Sequence, residues 1–228
     1  MNLSISMSRR ERLLGGSYLL LSLFVLPTLL VLACALLSIP LTEGKLNLIY
    51  FTLNFLFAVG IFHRFLIATV RYTADRIWCC LRFGAIGLLL YFAATELIGQ
   101  GILWFRPDFI NVNDASISAM TNEHPLLWNF AAVLLVPISE ELFYRGLIFQ
   151  GLQKRHRLVA YVISTAIFAG IHVLGYIGLH DWVTLVLCFA QYLPAGLSLA
   201  WAYEKSDTII TPILMHITIN QIGISATR

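Results

Sequence analysis

Three polar groupings interrupt apolar stretches of this 228-residue chain: Glu140-Glu141-Leu-Phe-Tyr-Arg145, Phe168-Ala-Gly-Ile-His172 and His216-Ile-Thr-Ile-Asn220. A carboxylate, two imidazoles and an amide are the groups that can take a proton from water, hold that water and donate to a developing oxyanion. Acid and imidazole together can also relay protons along an ion path. Either use must repay a cost. Each charge near a bilayer centre costs roughly 2.5–3.5 kcal/mol on insertion scales. Glu140, Glu141 and Arg145 lie within two helical turns, so uncompensated they would cost on the order of 7–10 kcal/mol.

Helical spacing separates the two glutamates. Residues four apart share a face, so Glu141 can pair with Arg145 and neutralise both charges. Glu140 is rotated about 100° from Glu141 and meets a different neighbour. One carboxylate is therefore structural, and the other is free for chemistry. Pro137 removes a backbone hydrogen bond one turn before Glu140 and opens the helix there. His216 and Asn220 also share a face, with Pro212 one turn earlier to bend their helix.

The elements that must carry these groups are membrane helices. The composition is 59% hydrophobic and 12% charged, with a mean hydropathy of +0.81. Soluble domains carry about 25% charged residues. The apolar runs place about seven spans, at Ser17–Ile39, Leu46–Phe62, Ile77–Leu97, Pro125–Phe149, Leu158–Leu179, Trp182–Tyr203 and Ile209–Ile224. An eighth is conceivable, but the stretch from Arg106 to Glu123 is too polar to supply it.

Loop charge orients the chain. With the N-terminus inside, the inner segments carry Arg9, Arg10, Arg12, Arg64, Arg71, Arg76, Lys154, Arg155, Arg157 and Lys205, against Lys45, Arg106 and Arg228 outside. Ten against three is a positive-inside bias that puts the N-terminus in the cytoplasm. The apolar part of Ser17–Ile39 exceeds a signal-peptide core, so it is read as a retained span. The net charge of +3 sits in inner loops, where anionic lipid accounts for it and no nucleic-acid partner is implied. Cys34, Cys79, Cys80 and Cys188 lie in apolar runs without CxxC spacing, as small buried hydrophobes. The connection from Ile98 to His124 reads as an external interfacial loop or lid.

Depth brings the three motifs together. Glu140 is 14 residues from Lys154, His172 is 15 from Arg157 and His216 is 11 from Lys205. At 1.5 Å per residue all three fall near the middle of a core about 30 Å thick. Structural readings exist for each: His172 as an interhelical hydrogen-bond partner, His216 with Asn220 as a pin between helices, Phe168 as packing. Asn54 and Gln191 read as packing partners too.

The ordered trio resembles the CPBP family of intramembrane proteases, also called the CAAX protease and bacteriocin-processing, or Abi, family. That family includes type II CAAX prenyl endopeptidases. Its pattern of EExxxR, FxxxH and HxxxN or HxxxD on separate helices is matched by all three motifs, across roughly residues 125–224. Residues 1–124 match no motif and are assigned as helices and an external loop. Residues 125–228 form the catalytic core, and the whole is one integral membrane domain.

The resemblance implies an all-α membrane bundle and an endopeptidase. Glu140 would be the general base, His172 the residue holding the water, and His216 and Asn220 the oxyanion donors. Glu141, Arg145 and Phe168 would support them. A metal-free mechanism is favoured. The alternative is zinc on Glu140, His172 and His216, the three protein ligands a catalytic zinc takes. The substrate would be a peptide or protein at the membrane, prenylated substrates included. The location would be the bacterial inner membrane, or the endoplasmic reticulum in a eukaryote; oligomeric state is left open. Two other classes compete, a proton-coupled transporter and a non-catalytic scaffold or immunity protein.

Overall fold

The computed structural model describes residues 3–39, 42–123 and 125–226, so His124 and Arg228 lie outside the described residues. It is helical throughout its long elements. Helix α1 (Arg9–Phe24) opens on a capping box. The Ser8 hydroxyl accepts from the Glu11 amide, and the Glu11 carboxylate accepts from the Ser8 amide. Glu11 also accepts from the Phe65 amide at 2.9 Å, fastening the start of α1 to a later helix.

The first expected span is bent. Between α1 and α2 (Leu26–Leu36) the axis turns by 56°. Pro27 stands in the first turn of α2, where it has no amide to donate and its ring crowds the carbonyl four residues back.

Helix α3 spans Glu43–Ile61 and α4 spans His63–Ala74. Twelve residues are too few to cross a bilayer. Helix α4 buries Phe65, Thr69 and Thr73 and leaves Arg64 and Arg71 exposed. Helix α5 runs 29 residues, Ile77–Phe105, eight beyond the expected Leu97. Helix α6, Val112–Glu123, occupies the polar connection that the sequence left as loop or lid.

The remaining four helices hold the motifs: α7 (Pro125–Gln153), α8 (Arg157–Leu174), α9 (Trp182–Ser206) and α10 (Ile210–Ala226). Among the described residues α3, α5, α7, α8 and α9 are long and apolar enough to cross a membrane, and the bent α1–α2 pair would make six. Helix α10 is seventeen residues long. The protein is a polytopic helical membrane protein.

Helix α9 is the hub, packed against α5, α8 and α10. Its inner face is made of small residues, Ala195, Gly196, Ser198, Ala200 and Ala202, which let neighbouring backbones approach. Gly196 marks the tightest point. A Cβ there would sit 2.6 Å from Thr165 Cγ2 and 3.1 Å from Thr165 Cα on α8.

Helix α7 departs from α geometry on both sides of Glu140. Ala131–Leu135 and Leu142–Phe149 are π-helical, with an α turn, Val136–Glu141, between them. A π segment winds wider and loosens the backbone ladder. Pro137 has no amide to give to that ladder. Pro137 itself lies in the α turn between the two π segments.

Candidate active site

Glu141 and Arg145 are both fully buried, and Arg145 Nη1 donates to Glu141 Oε1 at 2.9 Å. The guanidinium also donates through Nη2 to the Gly196 carbonyl at 3.2 Å and lies 4.3 Å from the Phe168 ring centroid. Helix α7 is thereby tied to α9 and α8 through one side chain. The same Glu141 Oε1 accepts from His216 Nδ1 on α10 at 2.8 Å. An Arg145–Glu141–His216 chain runs through the core and sets the angle of the His216 ring.

Glu140 points elsewhere. Its side chain is 16% exposed and opens onto a cavity, and Oε2 has no hydrogen-bond partner within the protein. His216 Nε2 lies 3.9 Å from that oxygen. With Nδ1 committed to Glu141, Nε2 is the nitrogen left to face Glu140. The gap exceeds a direct hydrogen bond.

His172 stands in the last turn of α8, because that helix stops at Leu174 rather than at Leu179. Its Nδ1 is 2.8 Å or closer to a carbonyl, 2.7 Å from Phe168 O, which makes Nδ1 the protonated nitrogen and frees Nε2 as an acceptor. The Phe168 ring lies 4.8 Å from the His172 ring and 5.7 Å from the His216 ring, so Phe168 spaces the two imidazoles. Asn220 Nδ2 donates to the Ala132 carbonyl in the first π segment at 2.8 Å. One of its two amide hydrogens remains for another acceptor.

Glu140, His172, His216 and Asn220 all line one cavity of about 450 Å³, within the range of ligand pockets. Glu141 and Arg145 are sealed behind it. The zinc alternative does not fit this arrangement. Among the described residues no three His, Cys, Asp or Glu side chains gather where they could hold a metal, so Glu140, His172 and His216 are not a ligand set as placed.

The motifs did not disclose the rest of the cavity wall. Tyr50 and Asn54 come from α3, and Tyr91 and Thr95 from α5. Asn54 donates to the Tyr50 carbonyl at 2.9 Å, in keeping with its reading as a packing residue. Helix α6 adds Asn113 and Asp114, which meet Tyr192 of α9. Asn111, just before α6, donates to Gln191 at 2.7 Å. Asp114 opens onto the cavity, yet the surrounding protein withdraws enough water to raise its carboxyl above the ordinary range. The Tyr192 hydroxyl and the His172 ring pull it partly back. No periodic signal could have found this cluster, because it joins a polar connection to a span 78 residues away.

Comparison with known proteins agrees with the motif reading. Residues 122–222 match the model of the Rce1-like family, type II CAAX prenyl endopeptidases. The UPF0177 protein YxdF of Lactococcus lactis subsp. lactis is 27% identical over 149 residues, covering 64% of this chain and 77% of that protein. No solved structure matches the chain significantly. The matched stretch holds all three motifs, and this similarity supports intramembrane endopeptidase activity in general.

Proposed function

We propose that this multi-pass membrane protein, with its Rce1-like C-terminal half, is an endopeptidase that cleaves a membrane-associated peptide with a Glu140-activated water. The single observation that carries this reading is the partnerless Glu140 Oε2 facing His216 Nε2 across 3.9 Å inside the cavity. A water entering from the cavity donates to the Glu140 carboxylate and to His216 Nε2 and turns its lone pair outward. It attacks the peptide carbonyl carbon as Glu140 takes its proton. The C–O bond forms and the carbonyl oxygen becomes an oxyanion.

Asn220 keeps one amide hydrogen for that oxyanion. One such donor contributes about 3–4 kcal/mol in acyl transfer. Both water hydrogens being given to Glu140 and His216, His172 Nε2 accepts from the substrate amide. Glu140 then hands its proton to the departing nitrogen, and the C–N bond breaks. Glu141 and Arg145 hold the His216 ring without touching substrate.

The substrate class is a peptide at the membrane, a prenylated carboxy-terminal segment among the candidates. The inner-loop charge bias sets the N-terminus in the cytoplasm, and residues 125–228 form the catalytic core that 1–124 completes as a wall. Peptide termini in membranes carrying the wild-type chain are compared with those carrying Glu140→Ala at matched abundance. Termini found only with the wild type are the expected result. Identical termini, with a proton- or solute-coupled flux that Glu140→Gln abolishes, would overturn proteolysis in favour of a carrier.

A further inference from the structure

His172 has one ring nitrogen on the Phe168 carbonyl, which fixes a tautomer but leaves the ring free to swing about that bond. What holds its face is Tyr192 of α9. The two rings stack with centroids 4.1 Å apart and planes 25° from parallel. Tyr192 is itself gripped from outside the motif-bearing helices. Its hydroxyl donates to Asp114 Oδ1 at 2.7 Å and accepts from Asn113 Nδ2 at 2.9 Å.

The grip has its own support. Asn111 Oδ1 accepts the Asn113 amide at 3.0 Å, shaping the start of α6, while its amide nitrogen bonds Gln191, the neighbour of Tyr192. Every hydrogen bond in this cluster links α6 or its N-terminal turn to α9 or to itself, and the free face of Tyr192 presses on His172.

We infer that Tyr192, clamped by Asp114 and Asn113, is a positioning residue that sets the orientation of the His172 imidazole, so that docking of α6 is read out at the catalytic wall. The inference rests on the proteolytic reading only for its kinetic consequence. The ring orientation is a property of the folded protein. A phenol held at its hydroxyl is a rigid plate, and a stacked plate restricts an imidazole to the tilt that aims Nε2 into the cavity.

The test uses the full-length protein in lipid nanodiscs with isotope-labelled histidine, His172 being assigned by its loss in His172→Gln. In Tyr192→Leu the Cε1–H signal of His172 loses the stacking ring's shielding and moves downfield, while His216 stays in place. Tyr192→Phe keeps the stack and most of the shielding but broadens the His172 signal, because the ring has lost its clamp. In cleavage assays Tyr192→Leu lowers kcat about tenfold or more with KM within about twofold, and Tyr192→Phe, which keeps the stack but loses the clamp, falls between it and the wild type.

His172 signals unchanged in Tyr192→Leu would overturn the inference, whatever the activity. Should the leucine variant not fold, an unchanged, sharp His172 signal in Tyr192→Phe overturns it equally. Expected spectra from a wild type that cleaves no peptide would sink the proteolytic reading and leave the positioning role standing.

Discussion

Helices α5 and α7 are both 29 residues long, their most apolar 18-residue windows average 1.8 and 1.5 in hydropathy, and both qualify as membrane spans. Yet only 11% of the apolar window of α5 is buried within the protein, against 56% for α7. Each carries an arginine. Arg82 of α5 is exposed and lies over the neighbouring Phe83 ring, whereas Arg145 of α7 is sealed against Glu141, Phe168 and the Gly196 carbonyl. Hydropathy measures how well a helix suits lipid. Its share of the protein interior depends on which neighbours it finds. A span that faces lipid can carry charge only where the side chain reaches water or a headgroup, while an interior span can carry charge wherever another helix supplies the counter-charge.

The sharpest break in this comparison is at Glu140, the α7 carboxylate with an unpaired oxygen. Glu140→Gln is expected to cut peptide cleavage by about 10²–10⁴-fold, as loss of a general base does. The thermal midpoint should hardly move, because Oε2 supports no other group.

Next come the two arginines. Arg145→Met leaves Glu141 buried without its cation and is expected to cost about 3–5 kcal/mol, read as a fall in the unfolding midpoint in detergent. Arg82→Met in α5 should stay within about 0.5 kcal/mol of the wild type. Equal losses would mean that α5 is an interior helix after all.

Glycines give a smaller contrast of the same kind. Gly196→Ala drives a methyl into the α8 backbone at Thr165 and is expected to cost about 1–3 kcal/mol. Gly99 and Gly101 of α5 meet nothing within 4 Å, so alanine there is neutral or stabilises by up to about 1 kcal/mol.

The smallest effect lies at the mouth of α9. Asp181 caps that helix, accepting from the Thr184 amide at 3.0 Å and its hydroxyl at 2.6 Å. These bonds hold its carboxyl down at about 2, with Arg106 assisting. A carboxyl depressed in the folded state stabilises above its unfolded pKa, near 4, and that contribution fades as pH falls towards 2. Asp181→Ala should therefore lower the midpoint slightly at pH 7, and the gap should close between about pH 4 and pH 2.

Much of the architecture was legible because membranes impose it: a backbone in hydrocarbon must satisfy itself, so long apolar runs are helices. The pairing of Glu141 with Arg145 and the separate aim of Glu140 followed from helical periodicity alone. Boundaries were less legible. Helix α5 outran its estimate by a further eight residues, and α8 ended early, which put His172 in a last turn. Local composition sets where a helix can continue, but packing and capping decide where it stops.

The sequence by itself determined the membrane class, the three motif-bearing helices and which residues on each could do chemistry, since these depend on composition and a 3.6-residue repeat. Only the tertiary structure decided that Glu141 reaches past Arg145 to His216, that α1, α3, α5 and α6 wall the cavity, and that Tyr192 stacks on His172 while held by Asp114. The Glu141–His216 bond joins residues 75 positions apart and the Asp114–Tyr192 bond residues 78 apart. A chain's periodicity says which face a side chain occupies, and helix packing alone says what that face meets.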